Sequence, residues 1–218
     1  MYKTKELLDL NHTIAKDYLE KFEFPYQALS GIENLIIELS KKLNKDEFKE
    51  IKENVWIHNT AKIFDSAYIA GPCIIGANSE VRHCAFIRGS ALIGENCVIG
   101  NSCELKNVII FDNVQTPHYN YVGDSILGYK AHMGAGSITS NVRSDKKLVV
   151  IHSDENVETN LKKMGAIIGD GTEVGCNAVL NPGTIIGRNS IIYPTSCVRG
   201  EIKENSIFTN KGEILPRK

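Results

Sequence analysis

The chain has 218 residues, 42% of them apolar, with 25 Lys+Arg against 26 Asp+Glu and a formal charge of -1. That length suits one main domain with a small appendage, and the even balance offers no net basic field to a nucleic-acid backbone. No apolar run approaches a membrane span and the opening MYKTKELLDLNHT lacks the apolar centre of a signal peptide, so a soluble, cytoplasmic protein without membrane partners is expected.

Residues 1–54 read as helical. Leu7, Leu8, Ile14, Ala15, Tyr18, Leu19 and Phe22 form one apolar stripe, Pro25 breaks it, and Leu29, Ile32, Ile36, Leu39 and Leu43 form another. The segment is expected to cap the first coil of the repeat that begins at residue 55, because a solenoid end exposes unpaired backbone; a docking module for another protein is the alternative.

From residue 55 a period of six takes over. Bulky apolar residues recur at Ile57, Ile63, Ile69, Ile75, Val81, Ile87, Ile93, Ile99, Leu105 and Phe111. A small residue follows four positions after most of them, as at Ala61, Ala67, Cys73, Ser79, Ala85, Ala91, Cys97 and Cys103. The pattern returns at Ile168, Val174, Leu180, Ile186, Ile192 and Val198. Each six-residue unit holds one short strand and one turn, and three units close a triangular coil filled by the large residues, a parallel β-helix expected over 55–205 with a tail at 206–218. The six cysteines, at positions 73, 84, 97, 103, 176 and 197, show no C-x-x-C spacing and are expected to be reduced.

Two interruptions break the period. Phe111 to Leu127 is sixteen residues, which predicts that part of QTPHYNYVGDS is held out of the coil. A second gap, at about 142–163, reads as a loop or hairpin turning at Ser153-Asp154-Glu155-Asn156. Long loops on a rigid solenoid are where binding residues concentrate.

Glu104-Leu105-Lys106, the run Pro117 to Ser125, and Met133-Gly134-Ala135-Gly136-Ser137-Ile138-Thr139-Ser140-Asn141 resemble the acetyltransferase domain of the glucosamine-1-phosphate N-acetyltransferase/N-acetylglucosamine-1-phosphate uridylyltransferase family. The resemblance spans about 55–205 and implies a mainly β, left-handed parallel β-helix, a homotrimer, and acetyl transfer from acetyl-CoA to an amino-sugar 1-phosphate with no metal required. It implies His118 as general base. It places Arg88, Lys106, Tyr121 and Lys163 on the sugar phosphate, and Ala135, Asn141, Cys176 and Pro194 on the acyl donor. His132 stands where the bacterial family has an asparagine, which implies a substrate-facing imidazole, and Val142 replaces an aromatic. A backbone N–H in Gly134-Ala135-Gly136 is a candidate for the oxyanion.

Arg88 and Lys106 are eighteen residues apart, so one coil stacks them on a common face, where an anion between them relieves their repulsion. The 54 residues ahead of the coil are too few for the family's nucleotide-binding domain, and no uridylyltransferase activity is expected. A non-catalytic scaffold or regulatory partner of a sugar nucleotidyltransferase is the alternative. A zinc carbonic anhydrase would need a third histidine about five residues after His118, where Gly123 stands, and His83 and His132 do not complete the set.

Overall fold

The computed structural model describes residues 1–217. The chain forms a left-handed parallel β-solenoid of about nine turns. Its first face is built from Lys62–Ile63, Glu80–Val81, Val98–Asn101, Gln115–His118, His132–Met133, Glu173–Val174, Ile191–Ile192 and Ser206–Phe208. The second starts at Tyr68–Ile69 and Phe86–Ile87 and ends at Val179–Leu180 and Cys197–Val198. The third runs from Val55–His58 through Cys73–Ile75 and Ala91–Ile93 to Ala166–Ile168, Thr184–Ile186 and Glu201–Ile202. The periodic residues Ile75, Val81, Ile87, Ile99 and Leu105 are fully buried, as the period of six predicts.

The first interruption has a different cause from the one expected. Nothing in 111–127 leaves the coil. Leu105 pairs with Ile87, 18 residues back, but Ile110 pairs with Ile93 and Leu127 with Ile110, each only 17 residues apart. One residue is missing from the corner between the second and third faces in two successive coils. There the strands Glu104–Ile110 and Tyr121–Leu127 run through the bend without a break, and Asn107 and Asp124 take it at φ 54° and 47°. The inward position is therefore Ile110, and Phe111, buried nonetheless, falls one residue beyond it.

The third face is apolar on its outer side as well. Ile74, Leu92, Ile109, Ile126, Ile167 and Ile185 alternate with core residues, yet all are 0–1% exposed. The N-terminal segment covers them. Its helices do not cap the first coil; they descend along the solenoid from the last coils to the first, and only the segment's final strand reaches the end of the first coil. The Tyr2 hydroxyl accepts from Glu204 N, the Leu7 carbonyl accepts from Asp170 N, and His12 stacks on Tyr129 at 3.5 Å. Pro25–Gly31 then packs on Tyr121–Leu127, and the helix Ile32–Ser40 on Cys73–Ile75, Ala91–Ile93 and Glu104–Ile110. Burying each such aliphatic side chain contributes about 1.5–3 kcal/mol.

The ends are closed by strands instead. Phe48–Lys52 pairs antiparallel with Val55–His58 at one end, and Ile214–Pro216 with Ser206–Phe208 at the other. The coil thus extends past 205, since Ile207 pairs with Ile191, and the expected tail folds back on it. In the insert, Val150–Ile151 and Val157–Glu158 form the expected antiparallel hairpin. It lies against the coil, with Val149 and Ile151 buried and the His152 carbonyl accepting from Glu201 N.

Candidate active site

His118 ends a strand of the first face, opposite Asn101, and its side chain is exposed at the corner leading to the second face. Asn120 anchors that corner from inside. Its Oδ1 accepts from His118 N at 3.2 Å, and its Nδ2 donates to the carbonyls of Gly134 at 2.8 Å and Ser137 at 3.1 Å. The small-residue position of this coil is thus filled by a polar side chain that ties His118 to the Gly134-Ala135-Gly136 turn. Gly134 N donates to Val174 O at 2.7 Å and Gly136 N to His118 O at 3.0 Å. The Ala135 N–H between them has no acceptor among the described residues. Ala135, Cys176 and Pro194 stand above one another on this same corner, for Asn177 N donates to Ala135 O and Thr195 N to Cys176 O. A Cβ on Gly134 would lie 2.7 Å from Cys176 N, so glycine is required for the coils to approach here.

Arg88, Lys106 and Tyr121 project from the adjoining second face, in register through Leu105 with Ile87 and Glu104 with Tyr121. The two cations are stacked as expected, but their counter-ions are the chain's own carboxylates. Arg88 pairs with Glu104 at 2.7 Å, and Lys106 with Asp124 at 3.1 Å. The Asp124 side chain is only 6% exposed and also accepts from Asn107 Nδ2 at 3.0 Å and Asn141 Nδ2. Asn141 Nδ2 also lies 3.1 Å from the Tyr121 hydroxyl, whose pKa burial raises, and Asn107 Nδ2 reaches the carbonyl of Leu29 in the N-terminal segment. Lys163 is exposed beside this cluster, next to Met164, whose N–H donates to the Asn141 carbonyl; it forms no ion pair among the described residues.

The structure therefore brings His118, Tyr121, Lys106, Arg88, Asn141 and Lys163 to one corner and the face beside it, with Ala135, Cys176 and Pro194 rising above His118. His132 stays apart. It lies on the first face, in register with Gln115 and Glu173, and its Nδ1 is 2.9 Å from Glu173 Oε2. Among the described residues no group of three or more His, Cys, Asp or Glu side chains could hold a metal, and no helix is long and apolar enough to cross a membrane.

Residues 69–162 match the family described as GMPPB C-terminal domain, and residues 165–200 match the bacterial transferase hexapeptide family. The second match falls on the later coils, where the period of six resumes. Among curated relatives, a bifunctional protein GlmU of Methanococcus maripaludis is 34% identical over 131 residues, covering 60% of this chain and 32% of its own. A bifunctional sugar-1-phosphate nucleotidylyltransferase/acetyltransferase of Sulfurisphaera tokodaii is 32% identical over 219 residues, covering 93% of this chain and 54% of its own. The chain spans between about a third and a half of these relatives. A solved hexapeptide transferase family protein from Anaplasma phagocytophilum is similar at a TM-score of 0.41 and 18% identity, over 74% of this chain and 78% of that one.

At this corner and the face beside it, sequence reasoning missed Asp124, Glu104 and Asn120. Asp124 carried a readable signal, a Gly-Asp pair between two apolar runs just where the period shortens. Asn120 carried another, as a polar residue at a small-residue position.

Proposed function

We propose that the protein is an acetyl-CoA-dependent N-acetyltransferase acting on an amino-sugar 1-phosphate, with His118 as general base. The observation that carries this reading is the corner itself: an exposed imidazole beside an unpaired Ala135 N–H, adjoining a face that bears Tyr121, Lys106 and Arg88. As the sugar amine attacks the thioester carbonyl, the C–N bond forms and His118 accepts the proton the nitrogen sheds. The Ala135 N–H donates to the developing oxyanion, and collapse breaks the C–S bond to release CoA. Lys163 is the cation free to meet the phosphate directly. Arg88 and Lys106 reach it by sharing their charge with Glu104 and Asp124. His132, on the first face, would act on a substrate only from across the coil or from a neighbouring copy. Cys176 and Pro194 line the path of the donor's pantetheine arm, and Asn141 spans from it to Tyr121. A homotrimer, with flat solenoid faces packed about a three-fold axis, is part of this reading, and sedimentation tests it.

A non-catalytic scaffold is the second reading. It is favoured by the pairing of Arg88 and Lys106 with carboxylates, which leaves neither charge in need of a phosphate. Thiol release from acetyl-CoA in the presence of glucosamine 1-phosphate or galactosamine 1-phosphate separates the two. The enzyme reading expects release that is lost in His118→Ala. Absence of release with every amino-sugar phosphate tried would leave the scaffold.

A further inference from the structure

A cavity of about 540 Å³ lies between the start of the 142–163 insert and the upper second face. Ser140, Asn181 and Arg199 wall it from the solenoid; Val142, Arg143 and Asp145 wall it from the insert. Two guanidinium groups thus share one polar cavity with a single carboxylate. Arg143 is held side-on by Asp145 through Nε at 2.9 Å and a terminal nitrogen at 2.6 Å. Arg199 is different. Its terminal nitrogen lies 2.7 Å from Nε2 of His152, whose Nδ1 lies 2.9 Å from the Asn156 side-chain oxygen. An imidazole that accepts from a guanidinium at Nε2 and donates from Nδ1 to an amide oxygen is neutral. Among the described residues Arg199 has no ion pair, whereas Arg88 and Lys106, lower on the same face, each have one. An arginine fixed by a neutral hydrogen bond keeps its full charge and its remaining donors for a ligand, and a planar fork of donors suits phosphate oxygens.

We propose that this cavity is a second phosphate-binding subsite, taking a terminal phosphate of a substrate whose reacting end lies at the His118 corner. The inference rests on the acyl-transfer reading for that reacting end. The cavity adjoins the first site along the chain, because its lining residues Ser140 and Val142 flank Asn141, whose side chain meets Tyr121 and Asp124. Arg199 stands three coils above Tyr121, about 14 Å at one strand spacing per coil. A hexose 1-phosphate bound at Lys106 cannot span that distance. Two classes of molecule can: the donor, through the phosphates at the adenosine end of CoA, or an acceptor whose sugar carries a nucleoside diphosphate. Both present the same chemistry to Arg199 and Arg143.

Titration calorimetry on the full chain separates the sources, with CoA, 3′-dephospho-CoA and uridine diphosphate as probes. Arg199→Gln is the test variant and Arg143→Gln the second, each checked by thermal melting. If the donor supplies the phosphate, CoA binds about tenfold or more tighter than dephospho-CoA, and Arg199→Gln abolishes the difference. If the acceptor supplies it, uridine diphosphate binds and Arg199→Gln weakens it by a similar factor. Equal affinities in the parent and both folded variants for all three probes would overturn the subsite. Failure of either form of CoA to bind, with uridine diphosphate still sensitive to Arg199, would remove the acetyl-CoA reading and leave the subsite standing.

Discussion

Asp170 accepts a hydrogen bond from the backbone N–H of Asp9, 161 residues earlier in the chain, at 2.7 Å. Its other oxygen accepts from Tyr129 N at 2.8 Å, and Arg188 lies 3.3 Å away. One carboxylate therefore joins the N-terminal segment to three successive coils, its own and the neighbour on either side. Asp170→Ala leaves these donors unpaired in a mostly buried place and should cost about 2–4 kcal/mol, read by denaturant unfolding.

The same carboxyl titrates with a defined sign. Burial, the larger effect, raises its pKa above the ordinary carboxylate value, against the backbone donor from Asp9. A folded-state pKa above the unfolded one means that its contribution is complete below the unfolded pKa and falls as pH rises through the folded pKa. The stability difference between the parent and Asp170→Asn should therefore be larger at pH 4 than at pH 7. A difference that grows toward neutrality would contradict this.

Ile167 points away from the coil interior yet is fully buried beneath the N-terminal segment. Ile167→Ala should cost about 2–4 kcal/mol, as a core truncation does, where an outward residue facing water would change stability by less than about 0.5 kcal/mol. Equilibrium unfolding distinguishes the two.

Asp124 neutralises Lys106 and orients Asn107 and Asn141. Asp124→Ala should destabilise by about 3–5 kcal/mol, because an uncompensated ammonium and two amides remain, while Asp124→Asn should cost less. Under the proposed activity, Asp124→Asn should raise KM for the sugar phosphate more than KM for acetyl-CoA. Equal effects on both would reduce Asp124 to a structural role.

Burial pushes the Cys73 and Cys97 thiols up to about 12 and raises that of Cys103. Cys84, Cys176 and Cys197 are exposed. A disulfide reagent at pH 8 should therefore modify three thiols rapidly in the native protein and the rest only on unfolding. Acetyl-CoA should slow the reaction of Cys176 if the donor runs along its corner.

The period of six determined the coil, its buried column and the position of the hairpin insert, because each coil is specified by residues close in sequence. The motif around His118 and Gly134 likewise placed the corner, since its residues lie on neighbouring strands. The apolar triplets around Ile74, Leu92, Ile109, Ile126, Ile167 and Ile185, which the reading of the period passed over, make a face apolar on both sides. What covers it was decided only in three dimensions, by contacts such as that of Asp9 with Asp170 that no local pattern encodes. The same holds for the charges. Eighteen residues between Arg88 and Lys106 stacked two cations, but whether an anion from outside was needed depended on the shortened corner, which turns Asp124 inward onto Lys106.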